Sequence, residues 1–405
     1  MGPTTPQRTP MSSTTLPLNL CQKAFLLAWE SNGVGDTPGD AKRLAKALQT
    51  KLTTFLALSD VKKAMEGQWS LVWGPAVFVD QESPTSYADN VMYVAASPDQ
   101  SVYVVAIAGT NASSEYDKNS EDNSVNTTKL WTTAFPNLPS YGVPSGINPW
   151  PVLSTGTALG VNNLLGMTDT LTTQQTLVEF LRSVSATGSK TLIFSGHSLG
   201  GALAPTLALA LFNPSGGPLS TGDWDHVYVL PAAGPTPGNQ GLSEFFERVF
   251  PPVSLNLPQP QYAWNQNIWN SLDAVPHAWV VDSLKEIPTL YPANWEGGQV
   301  PSDITKLVNL AVAASELGGA LPGPYTQLPN IKVPGTFHGS NPITTEAQFW
   351  AEVGYQHLDA YQILFGVQSL VSEGSRSALQ KMFKRWLGSF SRMTTQSVSR
   401  AAAAR

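Results

Sequence analysis

The chain has 405 residues, 42% of them hydrophobic and only 13% charged, with a formal net charge of −6. This length and hydrophobic share predict a large folded core and exclude a disordered chain, and the negative charge without a basic stripe argues against nucleic acid as a partner. The single cysteine, Cys21, excludes an intrachain disulfide and a metal site built from thiolates. No apolar run approaches the roughly 18 residues of a membrane-spanning helix.

The first hundred residues predict two helices followed by three strands. Residues 1–15 contain several prolines and lack the apolar segment of a secretory signal, so we expect them to form a flexible leader. In the second helix, Leu44, Leu48, Leu52 and Phe55 repeat at helical spacing and predict one buried face. The predicted elements are helices at 18–30 and 41–58 and strands at 69–79, 90–96 and 101–108, the last two joined by a hairpin turn at 97–100.

A long segment, residues 112–166, follows the third strand and combines acidic polar patches with scattered aromatic residues such as Trp131 and Phe135. Loops of this length are usually functional or disordered, and the aromatic residues argue against disorder. We therefore expect a lid or cap that faces the substrate. The alternative is a structural insertion that only covers the sheet.

The most informative stretch is residues 190–204. Residues 191–194 predict a short buried strand, Gly196-His-Ser-Leu-Gly200 matches the pattern G-x-S-x-G, and a helix follows. A strand, a tight glycine-flanked turn and a helix in this order form the nucleophile elbow of α/β-hydrolases, which presents a catalytic serine, here Ser198. The N–H group of Leu199, at the start of the helix, is then expected to face a developing oxyanion.

The whole pattern predicts a single α/β domain over residues 16–388, with a mixed, mostly parallel central sheet flanked by helices. Residues 283–342 are expected to be a second insertion, and residues 389–405 a flexible tail. The remaining predicted elements are a strand at 226–230 and helices at 172–184, 202–211, 242–250, 304–317, 344–365 and 375–387.

A catalytic serine needs a base that accepts its proton, usually a histidine held by a carboxylate. In α/β-hydrolases the three residues occur in the order serine, acid, histidine. Of the five histidines, His197 adjoins the serine and is expected to point away from it, and His226 precedes any plausible acid. His277, His338 and His357 remain as candidates for the base.

The acid of such a triad is expected in a loop directly after a strand, at the carboxyl edge of the sheet. Asp273 fits this position, in a turn bounded by Pro276 that follows the apolar pair 268–269. Its structural alternative is an Asx turn. Asp282 and Asp303 are the other candidates, although Asp303 is better explained as an N-cap before a helix.

Five segments occur in an order that is typical of one enzyme family. They are Ala108-Gly109-Thr110 at a strand end, the elbow at 196–204, Gly234-Pro-Thr-Pro-Gly-Asn239, Asp273-Ala-Val-Pro-His277 and Tyr355-Gln-His-Leu-Asp-Ala-Tyr361. In these segments the chain resembles the class 3 lipase family, the fungal-lipase-like α/β-hydrolases. The resemblance covers roughly residues 70–365.

The resemblance implies roles for individual residues. Ser198 matches the nucleophile, Asp273 matches the triad acid, and His357 matches the general base. Thr110 matches the residue that donates hydrogen bonds to the oxyanion together with Leu199.

The sequence departs from the family pattern in two places. Ala108 stands where the family often has an arginine, and the segment 283–342 is inserted between the acid and the base. The first departure bears on the assignment of the oxyanion residue, and the second bears on the choice of histidine.

The implied reaction is hydrolysis of carboxylic esters through an acyl-enzyme, with no metal or organic cofactor. The implied substrates are acylglycerols and related esters, and aromatic residues in the loops suit an apolar chain or an oil–water interface. These aromatic residues are Trp131, Phe135, Trp150, Trp264, Trp269 and Trp279. The alternatives are a soluble carboxylesterase for short-chain or aryl esters, a phospholipase A1-type enzyme, a peptidase, and a binding protein on an inactive hydrolase scaffold.

Overall fold

The computed structural model describes residues 17–81, 83–111, 113–114, 124–136, 138, 142–185, 189–320 and 322–384. The predicted leader at 1–15 and tail at 389–405 lie outside these residues. The strands are β1 (Ser70–Phe78), β2 (Asn90–Ala96), β3 (Val102–Ile107), β4 (Thr128–Leu130), β5 (Val152–Ser154), β6 (Thr191–His197), β7 (His226–Ala232), β8 (Val253–Ser254), β9 (Ala263–Trp264), β10 (Asn267–Asn270) and β11 (Asn330–Val333).

The helices lie before β1 and among the elements that follow β4. They are α1 (Leu20–Glu30), α2 (Ala41–Ala57), α3 (Ser59–Ala64), α4 (Trp131–Ala134), α5 (Thr155–Gly166), α6 (Leu177–Ser185), α7 (Leu199–Phe212), α8 (Gln240–Val249), α9 (Val281–Leu284), α10 (Ser302–Gly318), α11 (Glu346–His357) and α12 (Asp359–Leu364). Residues 373–384 are also helical and are called the C-terminal helix below. Within the described ranges, no helix is both long enough and apolar enough to cross a lipid bilayer.

Seven strands form one sheet in the order β1-β2-β3-β6-β7-β10-β11. The first three strands pair antiparallel, and the remaining ones pair parallel from β3 onward. This arrangement confirms the predicted α/β fold with a mixed, mostly parallel sheet. Because the carboxyl ends of parallel strands meet at one edge, the loops after β3, β6 and β10 lie close together there.

Both faces of the sheet are buried, because side chains alternate between two apolar clusters along each central strand. In β3, Val104 and Ala106 pack into the cluster that contains α1 and α2, whereas Tyr103, Val105 and Ile107 pack into the cluster that contains α5 and α7. The face of α2 predicted from its leucine spacing is indeed the buried one. The sheet is therefore held rigidly beneath the edge that carries Ser198.

Two predicted helices differ clearly from the sequence pattern. The helix predicted at 172–184 begins only at Leu177, because Asp169 accepts hydrogen bonds from the N–H groups of residues 171–173 and holds them in a turn. The helix predicted at 344–365 is two helices, α11 and α12, which meet at Leu358 with φ −111° and ψ −74°. This break places His357 at the end of α11.

The described part of the segment 112–166 packs largely against the rest of the fold. Trp131 and Phe135 are buried in the cluster that contains α7, and α5 lies against α7. Val125, Ser154 and Thr157 border the cavity at Ser198. A lid role for this segment stays a prediction.

The segment 283–342 has a small core of its own. Leu284 of α9 and Ile304 and Val308 of α10 pack with Phe349 and Val353 of α11. The insertion therefore lies directly against the helix that carries His357.

Candidate active site

Ser198 lies between β6 and α7 in a backbone conformation that few non-glycine residues adopt. Its φ is 61° and its ψ is −129°, and its N–H donates to the carbonyl of Ala232 at 3.0 Å. Such a conformation costs of order 1–3 kcal/mol and persists only where the surroundings enforce it. It turns the serine out of the sheet edge, which is the geometry of a nucleophile elbow.

The two glycines of the elbow are required by close packing. A Cβ atom on Gly196 would lie 2.1 Å from the carbonyl oxygen of Gly200. A Cβ atom on Gly200 would lie 2.6 Å from the carbonyl oxygen of Ile107 in β3. The strand–turn–helix unit can therefore be this tight only with glycine at both positions.

Three of the predicted site residues form a hydrogen-bonded series. The Nε2 atom of His357 lies 2.9 Å from Oγ of Ser198, and its Nδ1 atom lies 2.9 Å from Oδ2 of Asp273. Both the carboxylate and the imidazole are buried. An ionised carboxylate only accepts hydrogen bonds, so Nδ1 carries the proton and Nε2 is free to accept the serine proton.

These side chains reach the site from distant parts of the chain. Asp273 follows the end of β10 at the carboxyl edge of the sheet, where the sequence predicts the acid. His357 is the last residue of α11, 84 positions further along the chain. The insertion at 283–342 thus lies between them in sequence without separating them in space.

The carboxylate of Asp273 has further partners that fix its orientation. Its Oδ1 atom accepts a hydrogen bond from the N–H of Val275 at 3.0 Å. The hydroxyl of Tyr361 lies near Asp273 and accepts the N–H of Asn270 at 2.9 Å. Burial, together with the nearby negative charge of Asp273, raises the pKa of Tyr361 well above its ordinary value.

Sequence reasoning gave Tyr361 no role in the site. The only feature of the sequence that points to Tyr361 is its position four residues after His357, because side chains at this spacing are neighbours on one helix face. The break at Leu358 changes that geometry and directs both residues toward Asp273. The contact therefore depends on a backbone feature that the sequence pattern does not reveal.

The other histidine candidates are engaged elsewhere. His277 is buried and stacks on Trp269, and its Nδ1 lies 2.8 Å from the Ser283 hydroxyl. Burial lowers the pKa of His277. His338 stacks on Tyr355 with ring centroids 3.8 Å apart.

The alternative acids lie at the surface. Asp282 is exposed and lies 3.7 Å from Lys285. Asp303 is in the first turn of α10, with Lys306 at 3.1 Å. Both are explained as ordinary surface carboxylates.

His197 lies next to His357 and contacts its backbone. Its ring is fully buried beside Trp29, with centroids 5.0 Å apart, and its Nε2 lies 2.9 Å from the carbonyl oxygen of His357. Burial holds the pKa of His197 well below its usual value, so the ring is neutral and Nε2–H donates to that carbonyl. As expected from the sequence, it does not face the serine hydroxyl.

The two predicted oxyanion residues border the same cavity as Ser198. Leu199 is the first residue of α7, so its N–H has no acceptor within the helix and carries part of the positive end of the helix dipole. Thr110 follows β3, next to Gly109, whose N–H donates to Asn32 at 3.0 Å. Both residues line the cavity wall close to the serine.

The cavity at Ser198 has a volume of about 140 Å³. Its polar end comprises Thr110, Ser198 and His357, and the rest is mostly apolar. No group of three or more His, Cys, Asp or Glu side chains suited to hold a metal ion occurs in the described part of the chain. The site thus combines a serine hydroxyl, a hydrogen-bonded imidazole and an apolar binding space.

Comparison with known proteins gives one family match over part of the chain and structural similarity along most of it. The model of the class 3 lipase family matches residues 104–282. The crystal structure of M37 lipase matches with a TM-score of 0.67 at 26% sequence identity, covering 89% of this chain and 97% of that chain. Lipase II from Rhizopus niveus matches at 16% identity with a TM-score of 0.36, over 64% of this chain and 74% of that chain.

A mutant form of MDLA from Penicillium cyclopium gives a TM-score of 0.35 at 16% identity, over 65% of this chain and 75% of that chain. A comparison with curated protein sequences gave no match. The family match and the similarity to M37 lipase along most of the chain lead to one conclusion. Residues 104–282 match the class 3 lipase family, and the chain is a carboxylic ester hydrolase with the α/β-hydrolase fold.

Proposed function

We propose that the chain hydrolyses acylglycerols through a triad of Ser198, His357 and Asp273. The proposal is supported above all by the two 2.9 Å hydrogen bonds that join these side chains in series. Each member also has the environment that its role needs. The serine sits in a strained turn at the cavity, and the carboxylate is buried behind the histidine.

In the proposed mechanism, Oγ of Ser198 forms a bond to the ester carbonyl carbon while Nε2 of His357 takes the hydroxyl proton. The carbonyl oxygen becomes an oxyanion that accepts hydrogen bonds from Leu199 and Thr110. Removing one such donor typically costs about 2.7–4 kcal/mol of transition-state stabilisation. When the tetrahedral intermediate collapses, the proton passes from His357 to the leaving alcohol, which leaves an acyl-enzyme.

Deacylation repeats these steps with water. His357 accepts a proton from the water molecule as its oxygen attacks the acyl carbon, and then returns that proton to Oγ of Ser198. Throughout, Asp273 keeps Nδ1 of the imidazole protonated and stabilises the imidazolium that forms twice in each cycle. No step requires a metal or an organic cofactor.

The apolar wall of the cavity supports a lipid substrate, and acylglycerols combine an ester bond with an apolar chain. A soluble carboxylesterase for short-chain or aryl esters is the second candidate. The cavity volume of about 140 Å³ favours it, because a space of this size holds only a short chain.

Hydrolysis assays on wild type and Ser198→Ala, run side by side, test the proposal. The substrates are p-nitrophenyl esters from acetate to palmitate, and tributyrin below and above its solubility limit. We expect wild type to hydrolyse both kinds of ester, with a rate increase when tributyrin aggregates form. The variant should keep its melting temperature and lose about 10⁴-fold or more in kcat.

If the protein hydrolyses p-nitrophenyl esters but not tributyrin, the second candidate function, a soluble carboxylesterase, is supported. A Ser198→Ala variant that stays within tenfold of wild type would contradict the proposed nucleophile.

A further inference from the structure

We infer that the acyl chain of the substrate binds between α10, α11 and the C-terminal helix, and that the side chains of α10 limit its length. This inference rests on the proposed function and adds the location and size of the acyl subsite. It assigns substrate recognition to residues beyond 282, outside the region that the family model matches.

The walls of the cavity divide by their position in the chain. The lining residues up to 199 include Ser198 and the two predicted oxyanion donors, Thr110 and Leu199. Much of the apolar wall comes from residues after 282. From α10 these are Leu307, Val308 and Ala311, from α11 Trp350 and Val353, and from the C-terminal helix Leu379, Met382 and Phe383.

The wall formed by α10 is fastened at several points, so it cannot easily move aside. Ile304 and Val308 are buried in the apolar cluster shared with α11. The hydroxyl of Ser315 donates to the carbonyl of Trp279. A Cβ atom on Gly318 would lie 2.0 Å from the carbonyl oxygen of Val125, so the end of the helix packs directly on the backbone there.

The C-terminal helix is fastened just as firmly. The buried carboxylate of Glu30 accepts the N–H of Ser372 at 2.8 Å, the hydroxyl of Ser372 at 2.6 Å and the hydroxyl of Ser375 at 2.8 Å. Lys381 pairs with Asp36 at 2.8 Å. The helix thus presents a fixed apolar wall close to the catalytic histidine.

This wall adjoins the reacting atoms. The ring of Phe383 lies 5.6 Å from the ring of His357, measured between centroids. An acyl group attached to Ser198 would therefore extend from the polar end of the cavity into the apolar space between the three helices.

The size of the space sets the expected chain length. An apolar cavity of about 150 Å³ holds one benzene molecule, so about 140 Å³ accommodates about six carbon atoms. Each methylene that becomes buried there should raise kcat/KM about fourfold, until the space is full. We expect kcat/KM to rise from acetate to about hexanoate and then to level off.

Ala311 is the smallest of the side chains that α10 contributes to the cavity. Ala311→Leu adds three carbon atoms, about half of the available space. The ratio of kcat/KM for p-nitrophenyl hexanoate to that for p-nitrophenyl acetate should fall about sixty-fold. The leaving group is the same in both esters, so the ratio reports only on the acyl side.

Ala313 provides the matched control, because it lies on the same helix and is exposed. Ala313→Leu should leave the ratio within twofold of wild type. Leu307→Ala provides a second test, because it removes three carbon atoms from the wall and should move the plateau to chains about three carbons longer.

The inference is overturned if Ala311→Leu keeps the wild-type ratio, or if Ala313→Leu changes it equally. Suppose that wild type is active, that Ser198→Ala is inactive, and that Ala311→Leu leaves the hexanoate-to-acetate ratio unchanged. Then the proposed acyl subsite is wrong and the proposed function stands. When Ser198→Ala stays active or wild type hydrolyses no ester, the proposed function fails and the subsite fails with it.

Discussion

Replacing Asp273 with asparagine should move the imidazole proton of His357 from Nδ1 to Nε2 while keeping a side chain of nearly the same size at position 273. The N–H of Val275 donates to Oδ1 of Asp273 at 3.0 Å, so the amide oxygen of an asparagine must occupy that position. The amide NH₂ group then takes the place of Oδ2 and faces Nδ1 of His357, which is 2.9 Å away. Because both atoms cannot be donors, the imidazole proton moves to Nε2, and His357 can no longer accept the proton of Ser198.

The expected loss follows from this tautomer change. The same substitution in other serine–histidine–aspartate enzymes lowers kcat about 10⁴-fold, equivalent to roughly 5.4 kcal/mol of activation free energy. We expect a similar loss in Asp273→Asn, measured as kcat for p-nitrophenyl butyrate. Thermal unfolding should show that the variant is folded.

Asp282→Asn is the control, because this carboxylate is 96% exposed and is one of the two alternative candidates for the acid. Its kcat should stay within about twofold of wild type. An Asp273→Asn variant with more than a tenth of wild-type activity, or a large loss in Asp282→Asn, would refute the reasoning.

The remaining predictions concern the base, the oxyanion donor and a buried histidine. His357→Ala should lower kcat about 10⁴-fold, whereas His338→Ala should stay within about twofold, and the reverse result would reassign the general base. Thr110→Val should lower kcat about 10²–10³-fold and Thr110→Ser should restore most of it, and a fully active Thr110→Val would contradict a role for the hydroxyl. His197 binds a proton near pH 6.5 only when the chain is unfolded, because burial lowers its folded pKa, so the free energy of unfolding should fall as the pH drops below about 6.5. In urea unfolding between pH 6.5 and 5, His197→Asn should reduce the pH dependence of the free energy of unfolding by up to about 1.4 kcal/mol per pH unit, and an unchanged pH dependence would contradict the neutral folded state.

The sequence predicts best those features that depend on local geometry. The elbow requires a strand, two glycines and a helix within fifteen residues, and packing distances at Gly196 and Gly200 explain why the pattern is so restrictive. The position of Asp273 is also predictable, because the acid of such a triad must follow a strand at the carboxyl edge of the sheet. These constraints act between near neighbours or between adjacent strands, so they leave a readable pattern.

Features that depend on contacts between distant segments were not predictable in the same way. The position of Tyr361 near Asp273 follows the break at Leu358, which interrupts a pattern that predicts one continuous helix. The environment of Trp131 is also not predictable from its local sequence. The residue lies in a segment whose composition suits a lid, but its side chain packs in the core. Such residues are placed by packing partners far away in the sequence, and periodicity carries no information about them.

Covalent labelling with diethyl p-nitrophenyl phosphate tests the central claim most directly. The phosphorus of this compound is attacked by an activated serine, which releases one p-nitrophenolate and leaves a stable phosphoserine ester. Intact-mass measurement and peptide mapping should show one adduct per chain, on Ser198, together with complete loss of ester hydrolysis. An adduct on a different residue, or ester hydrolysis that survives complete modification of Ser198, would contradict the proposed nucleophile.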